Sequence, residues 1–146
     1  MQKGAYSLLL VLENDQLIEI GKLGRILFKK GYYVYNGSAL GGFGRVRYHL
    51  KQNKTKRWHI DYLLEYAKIL KIIIAKDAKN HEHDISKFLA SVIGAETPTL
   101  GFGSSDCKEK CPSHLVYFIN MPEICTAYEK LGLDHKVFNE ADFKNI

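Results

Sequence analysis

No stretch of the 146-residue sequence approaches the roughly 20 consecutive apolar residues that a membrane-crossing helix needs. The first residues lack the charged, apolar and cleavage regions of a secretory signal. Three cysteines, an odd and small number, do not make the disulfide framework of a secreted domain. These absences lead us to expect an intracellular, cytoplasmic protein with no membrane partner. Repeats, low-complexity tracts and linker-like runs are missing too. With 46% hydrophobic residues the chain can enclose one core and hardly two. We therefore expect a single domain over residues 1–146, its core at about 4–118 and a C-terminal helix and tail over 119–146. The most telling absence is acidic: no Asp or Glu lies between Ile20 and Ile60. Lys22, Arg25, Lys29, Lys30, Arg45, Arg47, Lys51, Lys54, Lys56 and Arg57 all fall in that window, within a net charge of +5. Such a single-sign stretch favours a polyanion and salt-dependent binding. For Lys54 to Arg57 alone, a solvated lysine-rich face is the plainer reading.

The pattern of what is present predicts an α/β fold with a small, mostly antiparallel central sheet flanked by helices. The run from Tyr6 to Glu13 is apolar enough for a buried strand. Asn14-Asp15 reads as a turn, and Gln16 to Gly21 alternates as a partner strand, so a hairpin is expected between the two. Gly21 to Gly31 reads as a connection pinned by Ile26, Leu27 and Phe28. Strands follow at Tyr32 to Tyr35, Ile69 to Ala75 and His114 to Ile119. Helical spacing marks Phe43 to Leu50, and Trp58 to Ala67 with Ile60, Leu63, Leu64 and Ala67 on one stripe. It also marks a segment from about Asn80 with Ile85, Phe88, Leu89, Val92 and Ile93 on one apolar face and Gly94 as its stop. Pro122 opens a short helix through Leu131, and the remainder reads as a polar tail.

The organising stretch is YYVYNGSALGGFGRVRYHLK, Tyr32 to Lys51. A β-branched and aromatic strand ends at Asn36-Gly37, glycines follow, and the next helix carries Arg45 and His49 at i and i+4 on one face. Two phosphate-binding side chains aimed together beside a sheet edge suggest a phosphodiester site.

Gly4-Ala5-Tyr6, Tyr35-Asn36-Gly37-Ser38-Ala39 and the Arg45 to His49 spacing resemble the GIY-YIG nuclease superfamily. Ala5 and Asn36 stand where the family's motifs carry Ile or Val. Trp58 to Leu64, WHIDYLL, and Gly101 to Leu115, GFGSSDC followed by SHL, are similar to a small branch of that superfamily sometimes fused to endonuclease-III-type glycosylases. The resemblance implies a metal-dependent endonuclease acting on nucleic acid, DNA rather than RNA, with a repair protein as a further partner. It implies that Tyr6 orients or deprotonates the attacking water with help from Tyr35, and that Arg45 stabilises charge on phosphorus. His49 would hold the scissile phosphate or the leaving-group side. One divalent cation, Mg²⁺ or Mn²⁺, is implied on an acid of a later helix, which by order falls on Asp84, with Asp61 and Glu82 as substitutes. Ser38, Arg47, Lys51, Lys54, Arg57 and His59 would contact the nucleic acid. Zinc at Cys107, Cys111 and His114 is a lesser expectation, because the spacing lacks a second Cys-x₂-Cys half. The alternatives are a nucleic-acid-binding module without cleavage and a zinc-stabilised interaction domain.

Overall fold

The computed structural model describes residues 4–38, 43–51, 55–56, 58–76, 82–99, 102 and 113–144, without the side chains of Glu82, His83 and Lys144. The first strand, β1 (Gly4–Leu12), is the middle of a five-stranded sheet, with β4 (Gly31–Ser38) on one side and β5 (Lys68–Lys76) on the other. Outside these lie β6 (Leu115–Phe118), next to β4, and β7 (Lys136–Phe138), next to β5, and every pairing is antiparallel. The architecture is α/β, one compact domain with helices on both faces of the sheet.

Side chains in a strand alternate between faces, and this divides the core in two. Tyr6, Leu8, Leu10, Tyr33, Tyr35, Ile72 and Ile74 point to a first face, covered by α1 (Gly44–His49) through Val46 and α2 (His59–Leu63) through Ile60 and Leu63. Ala5, Leu9, Val34, Ile73, Val116 and Phe118 point to the second face. There α3 (Glu82–Ala90) packs through Ile85 and Leu89, and α4 (Cys125–Lys130) through Ala127 and Tyr128. The unbroken apolar run of β1 follows from this double cover.

Three expectations need correction. First, β1 makes no hairpin with β2 (Gln16–Glu19), which pairs with β3 (Arg25–Phe28) in a separate two-stranded sheet. Both edges of β1 are taken along most of its length by β4 and β5, which leaves no side for β2. The segment read as a connection thus contains a strand. Second, α2 is shorter than Trp58 to Ala67, its α-helical part ending at Leu63 before a turn. Third, the polar tail folds back: β7 extends the sheet, and α5 (Glu140–Lys144) places Phe143 in the first core with no exposed surface. One phenylalanine in a polar segment is a weak signal, and the strand hydrogen bonds that recruit it are invisible in one dimension. Among the described residues no helix is long and apolar enough to cross a membrane.

Candidate active site

The register of β1 with β4 sets Tyr6 opposite Gly37. A Cβ at Gly37 would lie 2.3 Å from both Cζ and the hydroxyl oxygen of Tyr6, so only glycine lets the ring lie across this strand. Gly4 does the same for the backbone, since a Cβ there would stand 2.4 Å from the carbonyl oxygen of Ala75 on β5. The two motif glycines are therefore requirements of close approach rather than of turn conformation.

Held in this way, the Tyr6 hydroxyl meets Nε2 of His49 on α1 at 2.9 Å, while Nδ1 of His49 meets Oδ1 of Asp61 on α2 at 3.0 Å. The second carboxylate oxygen, Oδ2, accepts the backbone N–H of Trp58 at 3.0 Å, which also closes the first turn of α2. The Arg45 guanidinium lies near enough to the Tyr6 hydroxyl to favour its ionised form and stands 4.8 Å from the centre of the Trp58 ring, a cation–π arrangement that steadies it. Tyr35 completes the group, its ring centroid 6.3 Å from that of Tyr6 and 6.2 Å from that of His49, edge to face with the imidazole. Tyr6, His49 and Asp61 are all buried.

Burial above all, and the neighbouring Tyr35 next, push the Tyr6 pKa well above the usual tyrosine value; Asp61 adds to the rise and Arg45 opposes it. Tyr6 is therefore a neutral phenol near pH 7. A neutral phenol can take a proton from water only if its own proton has somewhere to go.

Elsewhere the expected site residues scatter. Arg47 stands 5.6 Å from the Phe143 ring, and Lys51 lies 5.7 Å from the ring of Tyr48. His59 packs at 5.5 Å against Phe102. Ser38 ends β4, its hydroxyl buried without a hydrogen-bond partner among the described residues, and strand alternation turns it to the second face. Lys54, Arg57, Cys107 and Cys111 lie outside the described residues, as does the side chain of Glu82. His114 is buried, its carbonyl accepting the Asn36 N–H at 3.0 Å. Two cations of the acid-free stretch are balanced by later acids, Lys29 by Glu96 at 3.0 Å and Lys56 by Glu65 at 2.5 Å.

Asp61, named as a substitute metal ligand, stands on the first face with both oxygens hydrogen-bonded, Oδ1 to His49 and Oδ2 to the Trp58 N–H. Asp84 stands in the first turn of α3, the helix that covers the second face, whereas Tyr6, Tyr35 and His49 belong to the first. Among the described residues no three His, Cys, Asp or Glu side chains gather as a metal site. Sequence reasoning missed the His49–Asp61 pair. Its only local trace is an acid at the third position of α2, which capping alone explains.

The second face carries a polar chain of its own. Ser7 donates to Oδ1 of Asn36 at 2.6 Å, so its oxygen is left to accept the Tyr128 hydroxyl, also at 2.6 Å. The Asn36 amide donates to Ser86 on α3 at 2.9 Å. All four residues are buried, and the burial of Tyr128 pushes its pKa up. Asn36 thus occupies an apolar motif position because it has partners there. Behind His49 and Asp61, a cleft of about 770 Å³ is bordered by Lys51, Lys56, Glu65, Lys68 and Glu140. Tyr6, Tyr35 and Arg45 do not line it, so it is not where a phosphate would meet them.

The family model described as Domain of unknown function DUF123 matches residues 5–136, most of the chain. The chain belongs to the DUF123 family. The matched span takes in Tyr6, Tyr35, Arg45, His49 and Asp61, and reaches into β7. No curated protein and no solved structure matches this DUF123 chain.

Proposed function

We propose that this DUF123 chain is a GIY-YIG-type endonuclease that hydrolyses nucleic-acid phosphodiester bonds, DNA in preference to RNA. The observation that supports it best is the Tyr6 hydroxyl, bonded to the His49 imidazole with Tyr35 alongside and the Arg45 guanidinium near. A guanidinium matches phosphate oxygens and stabilises the charge that builds on phosphorus as water attacks. A phenol fixed beside it orients that water in line with the leaving oxygen. A divalent cation, Mg²⁺ or Mn²⁺, would supply Lewis-acid stabilisation of the leaving oxygen, though Asp84, on the helix that covers the opposite face of the sheet, does not fit the task of holding it there. The basic residues of α1 and the segment after it would bind the nucleic-acid backbone. We place the protein in the cytoplasm, with a repair protein as a further partner.

A second reading is a binding module that holds nucleic acid without cutting it. The place of Asp84 on α3, across the sheet from Tyr6 and His49, favours it. Supercoiled plasmid, branched duplex and single strands incubated with the protein in Mg²⁺ or Mn²⁺ separate the two. We expect nicking that Tyr6→Phe and Arg45→Ala each reduce by at least about 100-fold. Cutting that survives both changes would show that another site or a contaminant is responsible. Salt-sensitive retention of nucleic acid without any nicking would establish the binding module instead.

A further inference from the structure

The partners of the Tyr6 hydroxyl fix a direction of proton transfer through the first face. Arg45 lies near the Tyr6 oxygen and can serve it only as a donor. An ionised Asp61 can only accept, and it does so from the backbone N–H of Trp58 on one oxygen and from His49 Nδ1 on the other. A neutral imidazole then carries its proton on Nδ1. Its Nε2, 2.9 Å from the Tyr6 oxygen, is in that tautomer the acceptor and the Tyr6 O–H the donor.

We propose that Asp61 is a positioning residue: it holds His49 in the tautomer whose Nε2 receives the Tyr6 proton, making Tyr6, His49 and Asp61 one proton relay. This rests on the hydrolytic reading above. In the reaction, the water oxygen bonds to phosphorus as the bond to the leaving oxygen breaks. The water proton passes to the Tyr6 oxygen, the Tyr6 proton passes to His49 Nε2, and the imidazolium so formed lies against the Asp61 carboxylate. The leaving oxygen takes a proton from solvent, and His49 later returns its extra proton by the same route. Tyr6 is thus neutral before and after the step, which fits a phenol kept from ionising by burial. Asp61 serves as orienter and counter-ion, the part that a buried carboxylate plays behind a general-base histidine.

Asp61→Asn tests this, because asparagine keeps the shape and can still accept the Trp58 N–H. Its amide would face Nδ1 and donate to it, forcing the imidazole proton onto Nε2 and reversing the bond to Tyr6. Two readouts are taken on the full chain. The first is the tautomer of His49 in protein labelled with ¹⁵N-histidine, one of six histidines, assigned through the signals lost in His49→Gln. The second is the plasmid-nicking rate. We expect the unaltered protein to carry the proton on Nδ1, Asp61→Asn to carry it on Nε2, and the nicking rate of Asp61→Asn to fall at least about 100-fold. His49→Gln, which can accept the Tyr6 hydrogen bond but cannot take its proton, should lose as much. A proton on Nε2 in the unaltered protein overturns the relay, as does nicking within threefold of normal in Asp61→Asn. If nothing is cut but the tautomer switches as expected, the nuclease reading fails, and with it the relay's part in hydrolysis, while the positioning of His49 by Asp61 stands. Should Asp61→Asn not fold, the tautomer of the unaltered protein and the His49→Gln rate still decide.

Discussion

Replacing Gly37 by alanine is the sharpest test of how the site is held. The added Cβ would stand 2.3 Å from Cζ and the hydroxyl of Tyr6 and 2.7 Å from Cε1. Non-bonded carbons settle at about 3.5–4.0 Å, so the ring has to withdraw by about 1.2 Å or more. It has little room to do so, being fully buried against α1 and tied to His49. A withdrawal of that size takes the 2.9 Å bond to Nε2 beyond hydrogen-bonding range. Forcing extra volume into a packed core costs about 1–3 kcal/mol, and a lost buried hydrogen bond about 1 kcal/mol more, giving about 2–4 kcal/mol in all. Gly37 is not among the positive-φ glycines, so no conformational penalty adds to this. Gly44 serves as the control, since a Cβ there meets nothing within 4 Å and alanine suits a helix start. Urea unfolding followed by circular dichroism should show a lower midpoint at unchanged slope for Gly37→Ala and no loss for Gly44→Ala. If Gly37→Ala costs less than about 0.5 kcal/mol, or no more than Gly44→Ala, the tight apposition of Tyr6 on β4 is wrong.

Other perturbations probe other parts. Burial raises the pKa of Tyr6, Tyr33 and Tyr128 in the folded state, so the unfolded chain releases these protons first as pH rises. Their contribution to stability is full below about pH 10 and is lost above it; urea midpoints measured from pH 8 to 11.5 should be flat and then fall, and Tyr128→Phe should soften the fall. Ser7→Ala strands the Tyr128 hydroxyl and the Asn36 carbonyl in a dry interior and should cost about 2–4 kcal/mol in thermal or urea unfolding. Phe143→Ala should cost about 3–5 kcal/mol by the same measurement, a result a disordered tail would not produce.

What could be read in one dimension was local. The apolar runs of β1, β4 and β5 announce buried strands because a strand covered on both faces needs no alternation. The glycines and the Arg45 to His49 spacing are equally local, and the structure does bring Tyr6, Tyr35, Arg45 and His49 together. What could not be read depends on partners remote in sequence. The turn at Asn14-Asp15 is compatible with a hairpin, yet β1 pairs with strands that begin much later in the chain. Arg25–Phe28 carries a weak strand signal that becomes a strand only beside β2. Asp61 looks like a capping acid, and it is one; that its other oxygen faces His49 is a property of how α1 and α2 lie on the sheet.

Ser7 faces Asn36 in the very rung that adjoins the Tyr6–Gly37 pair, and the two rungs expose their side chains to opposite sides of the sheet. A slip of one residue would break the Ser7–Asn36 bond and at the same stroke carry Tyr6 away from its glycine. The buried hydroxyl-amide chain beneath the sheet therefore works as an alignment pin for the Tyr6 cluster above it. An engineer who swapped Ser7 and Asn36 for apolar residues to gain stability would be loosening the registration of a site that neither side chain touches.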